Sequence, residues 1–107
     1  MRGVIEELRA SDFQAGCPIS TVALESSGTT NPLQAACSSA FHSIQAVIAE
    51  GFKKDARSPE EAQALANLIL CAFEGALLLS RTHHDTRPLE DMAKTLGALL
   101  SRRKTTP

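Results

Sequence analysis

Apolar residues recur along most of this chain at spacings of three and four, and no stretch shows sustained alternation, so the pattern predicts helices and no strand. Five segments emerge. The first covers Met1 to about Ala10, with Val4, Ile5 and Leu8 on one face; it has no N-cap and is short enough to be marginal by itself. The second opens at Gly16-Cys17-Pro18, where proline suits a first helical position, and carries Ile19, Val22 and Ala23 as a short stripe before Ser26-Ser27-Gly28 ends it. The third takes Asn31 as N-cap and Pro32 as first residue. Leu33, Cys37, Ala40, Phe41, Ile44, Val47, Ile48 and Phe52 then form a strong amphipathic pattern to about Lys54, a rod of roughly 34 Å.

The fourth segment opens with Ser58-Pro59-Glu60-Glu61, a capping box with proline just inside it, and runs to about Arg81. Its helical wheel carries two apolar faces. Leu65, Leu68, Ile69, Ala72, Gly75, Ala76 and Leu79 make one; Ala66, Leu70, Phe73 and Leu77 make the other. Only Glu60, Gln63, Asn67, Glu74 and Arg81 remain as a narrow polar stripe. A helix apolar on two sides needs two things to pack against, and a small domain offers one core, so the second face is expected to meet another chain. The fifth segment follows Arg87-Pro88 to about Arg103, with Leu89, Met92, Ala93, Leu96, Leu99 and Leu100 as its seam. The short link from Thr82 to Arg87 predicts that the last two helices pack as an antiparallel hairpin, and two such hairpins about a two-fold axis would close a four-helix bundle. The predicted interface residues are Leu68, Ala72, Gly75, Leu79, Leu89, Met92, Leu96 and Leu99, with Ala72 and Gly75 permitting close approach.

Composition narrows the function classes. The 107 residues suit one domain spanning the whole chain. Aromatics are 4%, with no Trp or Tyr, so Leu, Ala, Ile and Val must build the core. A formal charge of -1 lacks the electrostatic footprint of a nucleic-acid binder. The basic run Arg102-Arg103-Lys104 reads as a helix C-terminus favoured by the macrodipole. Three cysteines, Cys17, Cys37 and Cys71, form no CxxC pair, which argues against a disulfide framework or a structural zinc site and for a reducing cytoplasm. Met1 to Ala10 is charged and does not read as a signal peptide. The apolar stretch Ala64 to Leu79 reads as too short for a membrane span and contains Asn67 and Glu74.

Candidate chemistry is sparse. Cys17 sits at a helix N-terminus, where the dipole activates thiols, yet a small packed residue at a turn explains it as well. His83, His84 and Asp85 are adjacent, but consecutive side chains diverge and His42 lies far along the chain, so a solvated loop explains them better than a metal site. Glu74, in an apolar helix, fits either a solvated or interface position or contact with a cationic ligand. The hydroxyls of Ser20, Thr21, Ser38, Ser39 and Ser43 have no local base, and no GxSxG, GxGxxG, GxxxxGK or HExxH occurs. No enzyme, catalytic residue, metal or cofactor is expected.

Two runs together resemble a known family. Ala15-Gly16-Cys17-Pro18-Ile19-Ser20-Thr21-Val22-Ala23-Leu24-Glu25 and the later Leu65 to Leu79 stretch around Glu74-Gly75-Ala76 are similar, in order and spacing, to TetR-like repressors of the LmrA/YxaF-like branch, and the similarity covers nearly the whole chain. The resemblance implies an all-α, five-helix orthogonal or bundle domain of the TetR C-terminal type, dimerising through its C-terminal helical hairpin. It implies a pocket for a small hydrophobic or cationic effector, lined by the Gly16-Cys17-Pro18 helix and the Pro32 helix. Cys17, Ile19, Val22, Cys37, Phe41, Ile44 and Phe73, apolar residues on facing helices, are the expected lining. It further implies that the helix-turn-helix and the helices joining it to the core are not among these residues, so that DNA is met only through a missing N-terminal domain. The competing expectation is a stand-alone helical module that forms mixed dimers with an intact regulator; a small thiol enzyme using Cys17 is a third.

Overall fold

The computed structural model describes residues 2–26 and 32–105, and among them every regular element is a helix. Helix α1 is Arg2–Ala10, α2 Pro18–Ser26, α3 Pro32–Gly51, α4 Pro59–His83 and α5 Arg87–Thr105. The expected five helices are present, in order, and prolines open three of them at the first helical position (Pro18, Pro32 and Pro59). The Asn31 cap and the Ser27-Gly28 stop lie outside the described residues. Helix α3 ends at Gly51 rather than near Lys54, because the backbone tightens there into three-residue turns. Phe52 N–H donates to Ala49 O at 3.0 Å and Lys53 N–H to Glu50 O at 3.3 Å.

The residues group into two compact units, Cys17–Cys71 and the pair of segments Met1–Gly16 and Ala72–Pro107. In the first, α2 packs on α3. Its buried side chains are small: Cys37, Ala62 and Ala66, joined by Leu70. Gln45 Nε2 donates to Asn67 Oδ1 at 2.9 Å and so ties α3 to the first half of α4. Helix α4 starts as its capping motif dictates, with Ser58 Oγ accepting the Glu61 N–H at 3.1 Å.

In the second unit Leu8 and Leu89 are the largest fully buried apolar side chains, at 1% and 0% exposure, each contributing about 2 kcal/mol by burial. Two helices here end in the same way. At the end of α1, Phe13 N–H reaches back to Leu8 O at 2.7 Å and Asp12 N–H to Arg9 O at 3.2 Å. At the end of α4, Asp85 N–H reaches Ser80 O at 3.1 Å and His84 N–H reaches Arg81 O at 3.4 Å. Both are Schellman terminations, and both place non-glycine residues in the left-handed region: Asp12 at φ 54°, Phe13 at 62° and His84 at 51°. The Phe13 and His84 rings meet, with centroids 5.2 Å apart. Arg9 donates to Thr86 Oγ1 at 3.0 Å. The Arg81 guanidinium lies over Gly16, so closely that a Cβ on Gly16 would come within 2.5 Å of Arg81 Nη1. The left-handed turns, the ring contact and these two arginines thus fasten α1 and its following turn to the α4–α5 corner.

Helix α4 runs 25 residues, and over an 18-residue window it is apolar enough to cross a membrane by length and composition. This revises the expectation drawn from Ala64 to Leu79 alone: the helix extends beyond that stretch at both ends. A third of that window is buried within the protein, and the core helix of a soluble protein passes the same test.

Candidate functional site

Five of the seven expected pocket residues sit on the packed helix pair α2–α3, and Cys17 immediately precedes it. The Cys17 carbonyl accepts from Thr21 N–H at 3.1 Å and from Thr21 Oγ1 at 3.2 Å, which makes Cys17 the last residue before α2 and fixes it by its backbone. Its side chain is half-buried, as are Ile19 and Val22 on α2 and Phe41 and Ile44 on α3, while Cys37 is buried at 8% exposure. Phe73, half-buried on α4, belongs to the other unit. The six are an apolar set on or just before two helices that pack on each other, and none of them is charged. Such side chains suit apolar groups. All three cysteines are free thiols, with Cys71 exposed on α4.

The second candidate site is the outer face of α4. Of its two apolar faces, the inward one is the row Ala62, Ala66, Leu70, Leu77, with Ala76 and Ser80 beside it, each less than a tenth exposed. The other row is left outside. Leu68 is 50% exposed and Leu79 49%. Between them Gly75 is exposed, with no atom within 4 Å of the place a Cβ would take. Periodicity missed two members of this face: Leu78, 55% exposed, and Cys71. Leu78 falls on the wheel between Leu77 and Leu79, which the spacing places on opposite faces, so the pattern gives it no side. On α5, Leu99 is 55% exposed, and Met92 and Leu96 are half-buried, as is Ala72 on α4. Leu89 departs from its expected place at an interface. With 0% exposure it offers no surface to a second chain, being the one buried side chain in the first turn of α5.

The polar candidates have structural partners. His83 is the last residue of α4, His84 adopts the left-handed position and meets the Phe13 ring at a tilt, and Asp85 Oδ1 accepts the Arg87 N–H at 2.9 Å at the start of α5. These three residues turn the chain between two helices. Among the described residues no three of His, Cys, Asp or Glu gather as a metal-binding group. Glu74 is half-buried on α4.

Comparison with known proteins identifies the family. Residues 1–95 match the family described as transcriptional regulator LmrA/YxaF-like, C-terminal domain. The chain is 33% identical over 100 residues to an uncharacterized HTH-type transcriptional regulator of Mycobacterium tuberculosis, covering 89% of this chain and 52% of that protein. It is 32% identical over 88 residues to the uncharacterized HTH-type transcriptional regulator YxaF of Bacillus subtilis, covering 82% and 46%. With the HTH-type transcriptional regulator LmrA of Bacillus subtilis it shares 29% identity over 87 residues, covering 81% and 46%. The chain spans about half the length of these curated relatives. No solved structure gives a significant match. A family match across nearly the whole chain, an all-helical fold with the expected helix order and relatives that are all transcriptional regulators lead to one assignment: the chain belongs to the LmrA/YxaF-like transcriptional regulators as their TetR-type C-terminal domain.

Proposed function

We propose that residues 1–107 act as the single effector-sensing and dimerisation domain of a ligand-responsive, cytoplasmic transcriptional repressor. The observation that carries this reading is the outward apolar row of α4. Two half-exposed leucines, Leu68 and Leu79, flank an exposed Gly75 with open space above it, and Leu99 offers a third exposed leucine on α5. Burying such side chains against a second copy returns roughly 1 kcal/mol each, and a glycine at the centre lets two helices approach closely. The second copy is the natural occupant, because a homodimer presents the same row from both sides. A small hydrophobic or cationic effector would sit against Cys17, Ile19, Val22, Cys37, Phe41 and Ile44. By differential affinity it would bias the dimer between two states. DNA contact belongs to a helix-turn-helix element that these five helices do not supply, in keeping with a net charge of -1.

Light scattering across a dilution series tests the reading. The unaltered chain is expected to be a dimer, and Gly75→Arg a folded monomer, since Gly75 is exposed and the place of the new Cβ is open. A monomer at every concentration, or a Gly75→Arg protein that stays dimeric, would refute the α4 seam.

A further inference from the structure

A separate cavity of about 540 Å³ opens in the Cys17–Cys71 unit, between the end of α3 and the start of α4. It shares no residue with the apolar ensemble on α2–α3. Its existence follows from side-chain size. Where α3 turns back toward α4, both walls carry alanine: Ala46 and Ala49 on α3, Ala56 in the connecting turn and Ala62 on α4. None of them reaches across to fill the angle between the helices. The volume lies within the range of small-molecule sites.

The rim carries the charge. Glu50, Lys53 and Arg57 all line the cavity, a net of one positive charge. Lys53 Nζ stands 3.7 Å from Glu50 Oε1, with both side chains about three-quarters exposed, so this pair is weak. Arg57 makes no ion pair or hydrogen bond among the described residues and keeps its whole guanidinium fork available for a carboxylate. The acidic first-turn residues of α4, Glu60 and Glu61, do not line the cavity. We infer that this cleft is a binding site for a small monocarboxylic acid with a compact apolar body, the carboxylate held by Arg57 and Lys53 and the body resting on the alanine walls. The inference is independent of dimerisation and of the proposed effector surface.

Isotope-labelled chain of residues 1–107, titrated with sodium benzoate and in parallel with neutral benzamide, tests it by amide chemical shifts. Benzoate is expected to shift the Ala49, Ala56 and Ala62 resonances saturably, and benzamide to bind several-fold more weakly. Arg57→Gln, at an exposed position, is expected to weaken benzoate roughly three- to tenfold, in line with loss of one charge-assisted contact, and to leave benzamide unchanged. Ala49→Leu, which fills the cleft, is expected to abolish both, and circular dichroism checks that each variant keeps its helices. Absence of saturable shifts at millimolar benzoate overturns the inference. So does equal binding of the neutral amide, or an Arg57→Gln protein that binds benzoate as well as the parent.

Discussion

Gly16→Ala isolates a single tertiary contact. The backbone at Gly16 is not in the left-handed region, so alanine suits it locally and, by narrowing the unfolded ensemble, should stabilise by about 0.4–1 kcal/mol. The obstacle is one side chain. The new Cβ would lie 2.5 Å from Arg81 Nη1, 2.9 Å from Cζ and 3.2 Å from Cδ. The atoms in the way are the far end of a flexible, half-buried side chain, so the cost falls at the low end of the about 1–3 kcal/mol typical of overpacking, and the single variant should lose no more than about 0.5 kcal/mol net. In an Arg81→Ala background the obstacle is gone and the same substitution should gain stability, reversing its sign. The assay is urea unfolding followed by circular dichroism, all four proteins at one concentration so that self-association does not enter the comparison. The expected coupling is about 1 kcal/mol. Equal effects of Gly16→Ala in both backgrounds would refute the argument that Arg81 alone makes this glycine necessary.

Three further variants probe the fold. Asp12→Gly should stabilise by roughly 1 kcal/mol, because a residue at φ 54° carries the left-handed penalty that glycine escapes; an unchanged urea midpoint would count against it. Ser80→Ala should be neutral or stabilising by about 1 kcal/mol, since Ser80 is fully buried and its Oγ has no hydrogen-bond partner among the described residues; a clear loss in thermal melts would reveal a partner. Leu89→Ala should cost about 3 kcal/mol even in a protein made monomeric by Gly75→Arg, and a variant that weakened only the dimer would return Leu89 to the interface.

What the sequence revealed here was local. Proline at a first helical position and the Ser58 box are decided by neighbouring residues, and the helix starts at Pro18, Pro32 and Pro59 follow from them. The two apolar faces of α4 were also legible, being a matter of spacing; which face turns inward was not, because that depends on what it meets. The helix ends were legible only in part. Glycine marks a Schellman termination, but α1 and α4 use Asp12 and His84, residues whose type does not announce a left-handed backbone. The His83-His84-Asp85 run accordingly reads as a plain solvated loop when it is a capping corner. Leu89 reads as seam on a helical wheel and lies inside, since a wheel has no knowledge of what each face meets. The cleft beside Arg57 left no sequence signal, since a run of alanines usually marks close packing rather than space.

The unit that contains α1 is assembled from the two ends of the chain, residues 1–16 and 72–107. The hydrogen bond from Arg9 to Thr86 joins positions 77 apart. During synthesis the Cys17–Cys71 unit can therefore close its own contacts while α1, already made, waits for the α4–α5 corner to emerge. A nine-residue helix is marginal in isolation, so it gains its stability last. The loop that must close before Leu8 is covered also places most of this unit's folding cost in long-range search rather than local helix formation. Among these five helices, the earliest made is the last one fixed in place.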